Sequence, residues 1–577
     1  MDLRLVKASI CVLLFIGVLP VIFFSSADIG SSDSYRRDSL LAIEYQLTDN
    51  FTQEESDPPE VAIGERLFLE TRFAQFFFAN SDGDVNKVLE TGDPILEITE
   101  TTNSPLPGIF AGQSINCRTC HLVDELKEES GGGNRSYSDF ARRTLLPLRS
   151  DNKLRTVRNS PPLVNSTLSR KSSFFLHFDG EFTTTEELVI GTFTGRNFGW
   201  LPNEKSIAIK HIADVIRGDD GNGELAREFG GAYKVVLKGI DPNILEDLRL
   251  PEEFRIDVDK ASDRQVLKAI SKLVAAYVDS LLFVQDESGE FEGSPYDLFL
   301  NKNGLPRKPS QGETDSSYNR RLLQLINNLP SPVFVTSANA NFQTHSQDFV
   351  FGSLELEGLK IFLAQPTTSL TQEQIARGGI GNCAACHSAP NFTDFLFHNT
   401  GETQDEYDTI FGEGAFMQLF IPDLKTRRTD YNAFLPPTEK HPTAQGPFQD
   451  IPSKDTPGRT DLGLWNVFAN PDIPSPQKML RKFLCDRPPC SKGSMLPKTI
   501  ARFKTPGLRD LGHSAPYFHT GRKETLEDIV KFYARFGDLA RKNMVRNAAP
   551  ELGAIALSPD DVSPLVAFLR ALNEDYE

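Results

Sequence analysis

Two pentapeptides of the form Cys-x-x-Cys-His stand far apart in this chain: CRTCH, with Cys117, Cys120 and His121, and CAACH, with Cys383, Cys386 and His387. Two thiols at this spacing can each form a thioether with a vinyl group of haem, and the histidine that follows then meets the iron from one face. A structural zinc site would pair Cys-x-x-Cys units without the fixed histidine. A thioredoxin-like motif would sit in a βαβ pattern, and the sequence shows none. The motifs therefore imply two covalently bound c-type haems.

The address of the chain agrees with that chemistry. Arg4 and Lys7 precede an apolar run from Ile10 to Phe24, and small residues follow to Ala27. The run is about 15 residues, short for a membrane span of about 20, so 1–27 reads as a secretory signal peptide. An uncleaved anchor is the open alternative; cleavage would leave no stable membrane insertion. Cys11 lies too early to be a lipoprotein cysteine. Cys485 and Cys490, in CDRPPC, read as a disulfide closing a loop in an oxidising compartment. Export to a periplasm follows. The formal charge of −18 argues against nucleic acid as a partner and suits a redox partner that is basic or has a basic docking patch.

A length of 577 residues implies more than one domain, and an internal repeat says how they are arranged. After CRTCH come TVRNSPPLVN (156–165) and HFDGEFTTTEELV (177–189); after CAACH come FKTPGLRDLG (503–512) and FHTGRKETLEDIV (518–530). Each half has the haem motif, a Pro-containing loop, an aromatic-x-x-Gly turn and a threonine-capped acidic helix start. Helical periodicity is clear in 265–282 and 563–572, and few segments alternate as strands. The expected fold is mainly α: two tandem cytochrome c-like haem domains, 28–302 and 351–577, with long loop insertions. One polar stretch, 303–350, is placed as a linker, and another, about 401–460, interrupts the second domain.

The repeat also makes the two haems unequal. With Gly180 and Gly521 aligned, Tyr533 stands where the first half has Thr192. A phenolate can ligate ferric iron and a neutral threonine is a poor ligand, so the first haem would be open and the second capped. An ordinary buried helix aromatic is the other reading of Tyr533.

The chain resembles the bacterial dihaem cytochrome c peroxidase and MauG superfamily over about 111–572. The resemblance is carried by GGIGNCAACHSAPNFTDFLFHNTG (378–401), FKTPGLRDLGHSAPYFHTGRKETLEDIVKFY (503–533), SPYDLFL (294–300) and EGLKIF (357–362). It implies a peroxide-reacting first haem on His121 and an electron-relay second haem on His387, with Tyr533 as the relay's distal ligand. The loop 122–147 carries no histidine, so no removable ligand covers the first haem. The distal acid of the family matches Glu204 in LPNE, with Arg196 and Asn197 as hydrogen-bond donors nearby. Glu204 can equally be read as a helix N-terminal acid. A tryptophan between the haems is replaced by Phe178, leaving Trp200 as the nearby substitute; Trp465 follows the second insertion. A Ca²⁺ ion between the domains would use Asn159, Ser514 and Pro516, and His177, His513 and His519 flank these loops.

These readings converge on a periplasmic enzyme reducing hydrogen peroxide with electrons from a small cytochrome c or cupredoxin. The alternatives are MauG-like oxidation of a protein substrate, oxygenation of an organic molecule, or a non-enzymatic electron carrier with both irons capped, for example by Met479 or Met495.

Overall fold

The computed structural model describes residues 57–99, 114–121, 143–168, 174–338, 340–342, 347–485 and 487–574. The expected export segment 1–27 and most of the loop after His121, 122–142, lie outside them. The helices that build the fold are α1 (Pro59–Phe68), α2 (Thr185–Phe193), α3 (Lys205–Gly218), α4 (Asp263–Ser280), α5 (Pro295–Lys302), α6 (Asp315–Asn327) and α7 (Ser353–Leu363). They continue with α8 (Glu402–Phe411), α9 (Leu424–Thr429), α10 (Gln477–Leu484), α11 (Lys492–Met495), α12 (Leu526–Arg541) and α13 (Val562–Arg570). Among the described residues the only sheet is one antiparallel pair, β1 (Phe397–His398) with β2 (Phe503–Lys504). The chain is mainly helical, and no described helix is long and apolar enough to cross a membrane.

Each half turns on one close helix crossing. In the first, α1 packs on α4 at Gly64, where a Cβ would overlap the carbonyl of Leu273. In the second, α7 packs on α13 at Gly358, where a Cβ would overlap the carbonyl of Pro564. One turn further along each helix a phenylalanine meets an aromatic of the partner: Phe68 and Tyr277 lie 5.1 Å apart, as do Phe362 and Phe568. The sequence carries this device as Gly-x-x-x-Phe twice, at 64–68 and 358–362. Only glycine lets two helix backbones approach this closely.

The repeat extends to the backbone of the turns. His177 and Phe518 both adopt positive φ, 61° and 65°, and close on Gly180 and Gly521 at 70° and 63°. Thr184 accepts from the Glu187 amide at 3.1 Å and Thr525 from the Asp528 amide at 3.1 Å, capping α2 and α12 alike. Thr192 and Tyr533 therefore occupy equivalent places on equivalent helices.

Both polar stretches carry helices as well as loop. The connector holds α6, whose Tyr318, Leu322 and Ile326 are buried in the second half's core; its apolar spacing is helical, but polar residues between mask it. The second insertion holds α8 and α9 and, with 461–501, builds its own core around the fully buried Trp465. Arg427 lies in that core, donating to the Phe468 carbonyl at 2.6 Å with its guanidinium 4.6 Å over Trp465. Cys485 and Cys490 form a disulfide.

Replacing Gly358 by alanine is expected to destabilise the protein by about 1–3 kcal/mol through forced separation of α7 from α13. The shift of the chemical-denaturation midpoint measures this, and alanine at Gly223, exposed with open space around it and an ordinary negative φ, serves as the contrast.

Candidate haem sites

The second motif is the more completely built. Cys383–Ala385 forms a single tight turn, and the amides of Cys386 and His387 return to the Cys383 carbonyl at 3.2 and 2.8 Å. His387 Nδ1 lies 2.9 Å from the carbonyl of Phe392, a residue held at φ 53°. The carbonyl accepts the Nδ1 proton, so the lone pair is left on Nε2, as a metal-ligating histidine requires. Burial lowers the imidazole's pKa and keeps it neutral.

Cys383, Cys386, His387 and Tyr533 line one cavity, with a wall that includes Pro506, Leu552, Ile555, Leu565 and Leu569. All four motif cysteines are free thiols, and burial pushes them up, Cys383 to about 12 and Cys120 to about 11. Protonated, apolar-walled thiol pairs suit thioether formation better than thiolate–metal binding. Tyr533 reaches the cavity from α12, packed against Phe518 and Phe532 at 6.0 and 5.5 Å. Burial, then Cys386, Cys383 and Glu402, push its phenol well above the usual range. A cation in the cavity is what would make it ionise.

The first motif repeats the turn: Asn116 caps it through the Thr119 amide at 3.0 Å, and the His121 amide returns to the Cys117 carbonyl at 3.0 Å. His121 is half-buried near the Pro161 carbonyl and His177, and desolvation pushes its pKa down to about 4. Pro161 and His177 line a second cavity, and Phe178 and Lys504 to Gly507 line both cavities. Phe178 is thus a shared wall. His519 lies 6.3 Å from it and stacks on Phe503 at 3.5 Å and 14°; burial pushes His519 down to about 3.

Three expected active-site side chains are engaged elsewhere. Glu204 accepts from Arg149 at 2.5 Å and from the Leu201 amide at 2.8 Å. Arg196 pairs with Asp151 at 2.8 Å and donates to the carbonyls of Pro147 and Lys153. Trp200 is buried with its indole N–H on the Phe73 carbonyl at 3.1 Å, against Phe78 and His211. None of the three lines either cavity. Glu204 and Arg196 tie 147–153 to 195–204, and Trp200 ties the same segment to Phe73. Met495, buried, and Met479, half-buried, belong to the insertion core, and neither lines a cavity. Trp465 is there too.

The expected calcium donors are partly assembled. Asn159 Nδ2 donates to the Pro516 carbonyl at 2.6 Å and to that of Phe518 at 3.3 Å, while the Asn159 amide donates to the His519 carbonyl. Ser514 Oγ donates to the Asp510 carbonyl at 2.7 Å. As placed, the Asn159 side chain offers those carbonyls a donor, and a cation there would need Oδ1 in that position.

Glu402 is a site residue that the sequence pattern does not single out. It opens α8 directly after the HNTG signature, buried, with Oε1 accepting from Thr520 at 2.5 Å. Burial raises its pKa to about 7.

The chain is 26% identical over 195 residues to cytochrome-c peroxidase IdrP2 of Denitromonas iodatirespirans, covering 34% of this chain and 37% of the relative. It is 35% identical over 77 residues to cytochrome-c peroxidase IdrP1 of the same organism, 13% of this chain and 19% of the relative. The matches thus span well under half of these relatives. No family model matches. Among solved structures, the diheme peroxidase BthA of Burkholderia thailandensis gives a TM-score of 0.42 at 16% identity, covering 90% of this chain and 87% of that one. A MauG-like protein associated with microbial copper homeostasis gives 0.40 at 15%, covering 91% of each. Fold and motifs define a mainly helical protein with two Cys-x-x-Cys-His motifs. Over part of its length its sequence is similar to curated cytochrome-c peroxidases.

Glu402 gives the protein a pH dependence of definite sign. Its folded-state pKa of about 7 lies above the ordinary 4.5, so the folded state holds this proton more tightly. Its contribution is fully present below pH 4.5 and is lost as pH rises through 7. Glu402→Gln should remove that slope and be more stable than the native chain at pH 8 by up to a few kcal/mol, about 1.4 kcal/mol for each pH unit that separates the two pKa values. Urea midpoints at pH 5 and pH 8 measure it.

Proposed function

We propose that the chain is an exported dihaem c-type peroxidase that reduces hydrogen peroxide to water, with an open haem on His121 and a relay haem on His387. One observation supports the reading: two histidines, each beside a free thiol pair, sit in equivalent motifs, and Tyr533 lines the same cavity as the second of them. Cys117 and Cys120 would hold the first haem and Cys383 and Cys386 the second. Bound there, haem supplies iron that exchanges electrons and, where one face is uncovered, reduces peroxide.

The chain's own residues set the division of labour. Phe392 fixes the His387 ring, and Tyr533, in the same cavity, would supply the second ligand to a haem held there. Thr192, at the matching place on α2, offers no comparable ligand. Phe178 makes the shared wall apolar and hard to oxidise, so electrons must cross that wall without a tryptophan stop. The overall reaction consumes one H₂O₂, two electrons and two protons and yields two waters. The electrons come from a small cytochrome c or cupredoxin. A second reading, MauG-like oxidation of a protein substrate, is favoured by one feature, the tyrosine at 533. Asn159 with Pro516 and Phe518 serves as a polar tie between the halves, whether or not Ca²⁺ joins it.

Electron paramagnetic resonance of the ferric holoprotein tests the assignment. One high-spin and one low-spin haem are expected, and Tyr533→Phe should convert the low-spin signal to high-spin. Turnover with a protein donor should then fall on the order of tenfold, because the relay is disturbed. An unchanged low-spin spectrum removes Tyr533 as ligand. Glu204→Gln is expected to keep peroxide turnover within about threefold while losing about 1 kcal/mol of stability with the Arg149 pair; steady-state rates and thermal melts check both.

A further inference from the structure

The whole chain is acidic, with 61 basic and 79 acidic residues, yet one region reverses the sign. Gln477–Lys498, which contains α10, the disulfide loop and α11, carries six basic side chains and one acidic. Lys478, Arg481, Lys482 and Arg487 are exposed, and none of them forms an ion pair among the described residues. The neighbouring α9 packs against α11 and adds the exposed Lys425 and Arg428. Carboxylates also stand at its border, Glu187 on Ser475 among them. Asp423 caps α9 through the Thr426 amide at 2.8 Å, and Asp472 holds His441 at 2.7 Å. Elsewhere basic side chains are routinely paired, as in Arg143 with Glu406 and Arg158 with Asp179 and Asp461.

The patch is held rigidly and sits beside the second haem cavity. Leu480 and Leu484 bury the inner side of α10 in the core around Trp465, and the Cys485–Cys490 disulfide fixes the loop after it. Phe483, on the same helix, packs on Phe397 of β1 at 5.7 Å. The next residue of that strand, His398, lines the cavity of His387 and Tyr533. A partner resting on α10 is therefore one ring contact and one strand away from the relay site.

We propose that this basic face docks a small redox protein with an acidic surface, which delivers electrons to the His387 site. The proposal rests on the relay role given to that site above. Each encounter moves one electron: the partner's metal centre is oxidised by one and the relay iron reduced by one, with no bond made or broken. The local field, not the net charge, selects the partner, because opposed charges steer only within about one Debye length, about 8 Å at physiological salt.

A lysine-rich small cytochrome c and its succinylated form, which carries the same haem on an acidic surface, make the discriminating probes. Net charge alone would favour the lysine-rich form. Calorimetric titration of the holoprotein at low ionic strength should instead give the succinylated form an affinity at least about tenfold higher, weakening with salt. K478E/R481E/K482E should abolish that preference, while R264E/K268E on α4 should leave it intact. Unaltered haem spectra in each variant report intact folding. In the triple variant, anaerobic reduction of the His387 haem by the reduced succinylated probe should slow by the same factor, and reduction by ascorbate should not change. Tighter binding of the lysine-rich form, or full affinity in the triple variant, overturns the proposal. Since complex formation is measured without peroxide, failure of peroxide turnover would remove the peroxidase reading and leave the docking result standing.

Discussion

The fold depends on two helix backbones being allowed to touch, twice. At Gly64 against Leu273 and at Gly358 against Pro564 the space for a Cβ does not exist. That closeness fixes the helix before each haem motif against the last long helix of its half. In the second half the motif then lies on one side of a cavity and α13 contributes Leu565 and Leu569 to its wall. A helix pair held at side-chain distance would swing the motif away from this wall, because packed helices otherwise sit about 8–10 Å apart. The phenylalanine one turn beyond each glycine fills the angle between the crossing helices and supplies the first apolar layer beneath the site.

The two halves are joined by charge as well as by aromatic contacts such as Phe175 on Phe397 at 5.2 Å. Arg158 reaches Asp179 in the first half's HFDG turn at 2.6 Å and Asp461 in the second half's insertion, both carboxylates buried. Arg143 makes a two-pronged pair with Glu406 at 2.6 and 2.9 Å. Such pairs are costly to desolvate and add little net stability, but breaking one partner is expensive, so they specify geometry. What they specify is the position of Phe178, whose carbonyl accepts from the Lys504 amide at 2.7 Å while its ring forms the wall common to both cavities. Arg158 also lies 5.6 Å over Phe503, the ring on which His519 stacks. The inter-site wall is thus held by ion pairs at its edge and by aromatic packing at its centre.

Burial tunes the groups on either side of that wall in one direction. It keeps His121, His387 and His519 neutral and the motif thiols protonated. Neutral imidazoles and protonated thiols are the forms from which a covalently attached, histidine-ligated haem can be made. Glu402 is pushed the same way, a buried carboxyl whose pKa burial raises to about 7 near Tyr533.

Much of the chemistry was readable from residue types alone. The two Cys-x-x-Cys-His motifs, the disulfide pair and the alignment of Tyr533 with Thr192 depend on spacing along the chain, and the structure shows the same turns and caps in both halves. The Gly-x-x-x-Phe repeat was equally present in the sequence, but its meaning needs the opposing helix to be known. Glu204, Arg196 and Trp200 show the limit: each has the right type near the right motif, and each has a partner distant in sequence, at Arg149, Asp151 and Phe73, that spacing along the chain does not foretell. A charged or aromatic side chain has several physically equivalent uses, and only the residues that fold against it select one. Net charge describes the chain as acidic, whereas 477–498 concentrates basic side chains locally and α9, packed against α11, adds two more. Covalent capacity is a property of local spacing and was therefore determined by the sequence; the use of polar side chains, the shared wall at Phe178 and the sign of the local field depend on contacts between distant segments, which tertiary structure alone decided.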